Sequence, residues 1–150
     1  MKENANKVIG DFIKMVEKIA NGKTNILDFG SEDMCFYRGE VHMIKLIGDC
    51  PGVYISEMAR NFNITRAVVS KTIMKLEKRG IVKKVEDEED RKRLKLYLTS
   101  KGEEVYKLHH EYHQKHDKPL FEYVSSLDEK ELKIVEDFLK KASDLIDNHF

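Results

Sequence analysis

Apolar residues return every three or four positions along most of this chain and give way to two short alternating runs, Ile81 to Val85 and Leu94 to Leu98. The first stripe, Ile9, Phe12, Ile13, Val16, Ile19 and Ala20, predicts a long amphipathic helix from Val8 to roughly Leu27, with Asn21, Gly22 and Asn25 blurring its end. A second helix is predicted over Glu40 to Ile47, closed by the turn formers Pro51 and Gly52. Ile55, Met58 and Ala59 mark a short helix that ends in a polar turn at Asn61 to Asn63. The next stripe is Val69, Ile73 and Leu76. Its helix starts at Thr65, whose hydroxyl can accept from the unpaired N–H groups of the first turn. It stops at Gly80, which adopts left-handed backbone at little steric cost. Two alternating runs, Ile81 to Val85 and Leu94 to Leu98, flank a charged tip and predict a hairpin. Beyond it come a long helix from near Lys101, ending or kinking at Pro119, and a final helix capped by Ser126 or Asp128. That last helix turns Leu132, Val135, Phe138, Leu139, Ala142 and Ile146 to one side.

A short helix, a capped helix and a hairpin in this order make a winged helix-turn-helix, so the predicted fold is mainly α with a small β-hairpin wing. The predicted organisation is an N-terminal dimerisation helix and connection over 1–37, the winged module over 38–100, and C-terminal helices for dimerisation and effector binding over 101–150. The flanking helices carry more apolar surface than so small a module needs, which implies packing against a second copy. A twofold homodimer would match a palindromic double-stranded DNA operator half-site for half-site.

Composition supports an ordinary folded chain: 150 residues, 41% hydrophobic, no Trp. No signal peptide or membrane-spanning apolar run is evident, so a cytoplasmic location is expected. Cys35 and Cys50 lack both a CxxC spacing and a secreted disulfide pattern, and both are expected to be thiols. The formal net charge of zero hides a separation. Arg60 to Lys95 holds 12 basic and 6 acidic residues, while the rest of the chain holds 15 and 21. A basic module on an acidic molecule orients the protein toward a polyanion.

On this reading the helix from Thr65 enters the major groove, where each base pair shows its own donor and acceptor pattern. Arg66 is the base-reading candidate, because a guanidinium binds two guanine acceptors at once, and Ala67 and Ser70 permit close approach. Lys71 and Lys75 suit phosphate contacts, which position without reading sequence. Thr65 has two roles, cap and phosphate contact. At the hairpin tip Asp87, Glu88, Glu89 and Asp90 would be repelled by DNA unless paired or turned away. Arg91, Lys92 and Arg93 therefore divide two tasks, pairing with Asp90 to stiffen the loop and reaching the minor groove or a phosphate.

The order of elements, with TRAVVSKTIMKLEKRGIV and the wing EDEEDRKRLKLYLTSKG, resembles the multiple-antibiotic-resistance regulator (MarR) family over nearly the whole chain. That resemblance implies a dimeric transcription regulator, usually a repressor, with interlocked N- and C-terminal helices. It places Thr65, Arg66, Ser70 and Lys71 where the family's recognition helix meets DNA, and Arg91 and Arg93 in its wing. Where the family's wing commonly has Asp, any residue, Arg, this chain has Asp90, Arg91, Lys92, and lysine keeps the charge without the two-pronged geometry.

A histidine-rich run, LHHEYHQKHD, follows the wing. His109 and His113 are one helical turn apart and can converge from one face. Folding can bring His42, on the helix before the module, beside them. Three neutral imidazoles suit zinc, with a carboxylate or thiolate as fourth ligand, and the candidates are Cys35, Asp28 and Glu32. His110, Glu104 and Glu40 are candidates for a second, weaker site. The arrangement resembles the zinc-responsive subgroup of the family, in which metal promotes repression, and His42, His109 and His113 match its histidine positions. The subgroup's ligand cysteine falls nearer Gly30 than Cys35.

The sequence admits alternatives. One is an effector that is a small organic or phenolic ligand held between the dimer helices and the winged domain. A redox switch at Cys35 requires exposure and a nearby basic group. A winged-helix protein-interaction module predicts that Arg66, Ser70 and Lys71 are occluded. No nucleophile motif, nucleotide-binding loop or HExxH is present, so no enzyme activity and no catalytic residues are expected.

Overall fold

In the computed structural model, which describes residues 1–22 and 26–149, the opening stripe becomes helix α1 (Lys2–Ala20), with Phe12 as its buried residue. The helix expected to reach Leu27 stops at Ala20, and Asn25 lies outside the described residues. Leu27 belongs instead to strand β1 (Ile26–Asp28), which pairs antiparallel with β2 (Cys35–Tyr37) so that Leu27 faces Phe36 and Asp28 faces Cys35. Leu27 and Phe36 are both buried. Three-residue strands are too short for alternation to show in the sequence, which is why the periodic pattern ran past them.

Helix α2 (Arg38–Asp49) follows directly. The Glu40 carboxylate accepts the Tyr37 N–H at 3.0 Å and closes its first turn, while Val41, Ile44 and Ile47 are fully buried. The winged module then takes the predicted order with one addition. Strand β3 (Val53–Tyr54) precedes α3 (Ile55–Phe62) and α4 (Arg66–Lys78), and β4 (Val82–Glu86) and β5 (Leu94–Leu98) form the wing. The hairpin is therefore part of a three-stranded antiparallel sheet, β3-β5-β4, with Val53 opposite Leu96 and Val82 opposite Leu98. Leu96, in the central strand, is fully buried, as are Val69, Ile73 and Leu76 from α4. Asn63 takes left-handed backbone (φ 52°) to end α3, and Gly80 (φ 72°) does so after α4.

Helix α5 (Ser100–Ser125) runs through Pro119 instead of ending there. Lys115 and Pro119 are both exposed, so the carbonyl that loses its N–H partner can be hydrated. Its start is fixed by Thr99, whose hydroxyl donates to the Gly80 and Ile81 carbonyls and accepts the Gly102 N–H at 3.1 Å. A Cβ on Gly102 would stand 2.1 Å from the Ile81 carbonyl oxygen, so only glycine permits this approach of α5 to the strand. Helix α6 (Glu129–His149) is capped by Asp128 rather than Ser126. Asp128 Oδ1 accepts the Glu131 N–H and Glu131 Oε2 accepts the Asp128 N–H, each at 2.9 Å. Ser126 instead donates to the Tyr123 carbonyl.

The chain forms two compact units, Met1–His110 and Glu111–Phe150, with the boundary inside α5. The first contains the sheets, the helix-turn-helix and the core. On α1 it leaves Val8, Ile9, Met15 and Ile19 exposed, and the second unit exposes Leu120, Phe121, Tyr123, Ile134, Leu139 and Ile146. Among the described residues no helix is long and apolar enough to cross a membrane.

Candidate nucleic-acid interface

Thr65 performs the capping role expected of it. Its hydroxyl accepts the Val68 N–H at 3.2 Å, and α4 begins at the next residue. With Val69, Ile73 and Leu76 turned inward, helical geometry sends Lys71 and Lys75 outward, where both are exposed; Arg66 is exposed as the first residue of α4, and Ser70 is half-buried.

Ser56 and Arg60 from α3, Arg66 and Ser70 from α4, and Lys92 and Arg93 from the wing line one cleft of about 450 Å³, with Tyr54 beside them. Among the described residues no carboxylate lines it. The acids of the wing are used locally. Asp87, 7% exposed, accepts the Tyr54 hydroxyl, the Glu89 N–H at 2.8 Å and the Asp90 N–H at 3.3 Å, and Lys95 Nζ stands 3.9 Å away. The Tyr54 hydroxyl and the two N–H groups hold the Asp87 carboxyl below its usual range, and Asp87 in turn raises Tyr54. Asp90 accepts the backbone N–H groups of Lys92 (3.1 Å) and Arg93 (2.9 Å), the first on its side chain and the second on its carbonyl.

The pairing expected between Asp90 and a neighbouring cation is thus replaced by backbone bonds, and the tip loop is stiffened where it leaves β4, at Asp87. Arg93 lies over the Tyr54 ring, Cζ 3.7 Å from the centroid. Arg91 is exposed at the tip. Sequence reasoning passed over Tyr54, Ser56 and Arg60, named Lys92 only as one of three wing cations, and read Asp87 only as an acid at the tip. The available signal was Tyr54 beside the short third helix, which a third strand opposite Lys95 would have placed beside the wing.

A second cluster ties the far end of α4 to the β1–β2 hairpin. Arg79 Nη2 donates to the Asp33 and Cys35 carbonyls at 3.0 Å each, its Nη1 stands 3.8 Å from Glu40, and its plane covers Phe36 at 4.0 Å. Cys35 is half-buried, and its thiol is raised by that burial and by Asp28 and Glu32, with Arg79 opposing. A raised thiol disfavours the thiolate that a redox switch needs.

The histidines occupy different surroundings. His42 is exposed on α2 beside Asp49, Asn61 and Phe62. His109 is 3% exposed, edge-on to Phe29. His113 bonds through Nδ1 to Asp117 at 2.7 Å. Among the described residues no group of three or more His, Cys, Asp or Glu side chains is placed to hold a metal ion.

A capped, cation-bearing helix beside a stiffened three-stranded wing defines a winged helix-turn-helix protein. The MarR family model matches residues 36–94, the stretch that holds α2, the helix-turn-helix and most of the wing. The chain is 29% identical over 100 residues to the uncharacterized HTH-type transcriptional regulator YybA of Bacillus subtilis (strain 168), a match covering 67% of each protein. In fold it is similar to ZitR, a zinc-responsive MarR family member of Lactococcus lactis, with a TM-score of 0.76 at 21% identity over 95% of this chain and 99% of that one. It is also similar to Streptococcus pneumoniae FabT, solved in complex with DNA, with a TM-score of 0.67 at 22% identity over 99% of both chains.

Proposed function

We propose that this protein is a transcriptional regulator that binds double-stranded DNA as a homodimer and acts as a repressor on a palindromic operator. The observation that carries the reading is the cleft in which Arg66 and Ser70 of α4 lie with Lys92 and Arg93 of a wing whose acids are taken up internally, with Lys71 and Lys75 exposed elsewhere on α4. Thr65, Arg66 and Ser70 approach the major groove, Lys71 and Lys75 hold phosphates, and Arg91 and Arg93 act from the wing. The exposed apolar residues of α1, and separately those of the second unit, support burial against a second copy. FabT, of the same fold, was solved with DNA, and YybA is named a transcriptional regulator.

The test is selection from a random duplex library followed by binding of the recovered sequence at rising salt. A recovered motif with twofold symmetry, bound roughly 10³-fold or more weakly at 200 than at 50 mM salt, is expected. Recovery of nothing above background refutes the reading and favours a protein-interaction module.

The effector reading favoured by the likeness in fold is zinc, since ZitR is zinc-responsive. The ligands would be His42, His109 and His113, with Cys35, Asp28 or Glu32 completing the set. Among the described residues no group of three or more such side chains is placed to hold a metal ion, and no step of DNA binding is derived through one. Equilibrium zinc titration with and without the selected duplex tests the coupling, and equal DNA affinity in both states removes it.

A further inference from the structure

The major-groove reading gives α3 no part to play, yet Ser56 and Arg60 face the same cleft as Arg93. Arg93 is also held before any ligand arrives. Its guanidinium stacks on Tyr54, the Tyr54 hydroxyl donates to Asp87, and Asp87 is anchored by the N–H groups of Glu89 and Asp90. A free arginine loses rotamer freedom on binding, whereas one already stacked has lost much of it in folding, so its contact to a ligand is correspondingly stronger.

We propose that this cleft binds one phosphodiester of the DNA backbone, gripped between Arg60 of α3 and Arg93 of the wing, and that Tyr54 is the positioning residue that holds Arg93 for it. The chemistry of the lining suits that ligand. Two guanidinium forks match the paired oxygens of a phosphate, the Ser56 and Ser70 hydroxyls add donors, and among the described residues no lining carboxylate repels it. Arg93, where the tip loop joins β5, is thereby committed to the backbone, and the exposed Arg91 farther along the loop is left to reach the minor groove. The proposal rests on the DNA-binding reading and deepens it.

The experiment uses the full-length protein and the duplex recovered by selection, with single phosphates replaced in turn by neutral methylphosphonates. For the wild-type protein we expect one position per half-site at which neutralisation weakens binding about 10-fold or more. Arg60→Ala and Arg93→Ala should each weaken binding to the unmodified duplex, lower the salt slope by about 1, and lose most of the sensitivity at that position. Lys71→Ala should weaken binding while keeping it. Tyr54→Leu should behave as Arg93→Ala, and Tyr54→Phe, which retains the ring, should restore the sensitivity.

Far-ultraviolet circular dichroism checks each fold, and Arg60→Lys and Arg93→Lys, which keep the charge and lose the fork, stand in for any alanine variant that does not fold. A duplex bound with normal salt dependence, but with no position whose neutralisation is masked by the Arg60 and Arg93 variants, overturns the proposal and leaves DNA binding standing. Failure of the wild-type protein to bind any duplex overturns both.

Discussion

Replacing Arg79 by alanine should loosen α4 from the domain that carries it. The guanidinium donates to two carbonyls in the β1–β2 segment, Asp33 and Cys35, each at 3.0 Å. It covers Phe36 at 4.0 Å and stands 3.8 Å from Glu40, with the arginine side chain 31% exposed. At that exposure the ion pair contributes little, about 0–1 kcal/mol. Stacking on Phe36 contributes about 0.5–1 kcal/mol, and two carbonyl hydrogen bonds contribute about 1 kcal/mol each after exchange with water. The loss should therefore be about 3 kcal/mol, a fall in melting temperature of about 6–12 °C for a chain of this size. Arg79→Lys keeps charge and stem but neither fork nor plane, and should lose about half as much. The assay is thermal unfolding followed by far-ultraviolet circular dichroism at matched protein concentration, because association contributes to stability. An Arg79→Ala protein that melts within about 2 °C of wild type would refute the view that Arg79 fastens the helix.

Three shorter predictions follow from local geometry. Thr65→Ala removes the acceptor of the Val68 N–H and should cost about 1 kcal/mol, whereas Thr65→Ser should restore both stability and DNA affinity; equal melting of all three proteins would deny the cap. Gly102→Ala sets a Cβ 2.1 Å from the Ile81 carbonyl oxygen and should cost about 3 kcal/mol, the upper end of overpacking, read as a lower urea midpoint. Asp87 has its folded pKa depressed, chiefly by the Tyr54 hydroxyl, so its stabilisation is present above the unfolded value of about 3.9 and is lost as pH falls through the lower folded value. The stability gap between wild type and Asp87→Asn should hold steady near neutrality and shrink in urea titrations below about pH 4, and a gap that widens on acidification contradicts the assignment.

The helices that the sequence discloses are those whose signals are local. Thr65, Gly80 and the Val69, Ile73, Leu76 stripe all act within one element, and each behaves in the structure as its residue type requires. Strands β1, β2 and β3 escaped because two or three residues cannot display a period, and their partners lie at a distance: Val53 pairs with Leu96. Of the two outcomes Pro119 allowed, ending or kinking, the helix does not end, because the effect of proline on an exposed helix depends on hydration as well as on residue type.

The charge count shows most clearly what folding adds. The excess of cations between Arg60 and Lys95 was right in sign, yet several of those cations are directed elsewhere. Arg79 serves the β1–β2 hairpin, Lys84 stands 3.5 Å from Glu77, and Lys95 stands 3.9 Å from Asp87. The acids that seemed to oppose DNA are redirected as well, with Asp87 and Asp90 bonded to the backbone of their own turn. Folding therefore sorts the charges: Arg60, Arg66, Lys92 and Arg93 share a cleft that no described carboxylate lines. A cleft edged by like charges focuses potential more strongly than the same charges spread over a surface. The attraction for a polyanion should accordingly follow those four side chains more closely than the net charge of the module. Neutralising Lys84, whose charge is partnered by Glu77, should leave the salt slope of DNA binding nearly unchanged, whereas neutralising Arg60 lowers it by about 1. Equal slopes for Lys84→Ala and Arg60→Ala would show that bulk charge, and not the cleft, governs binding.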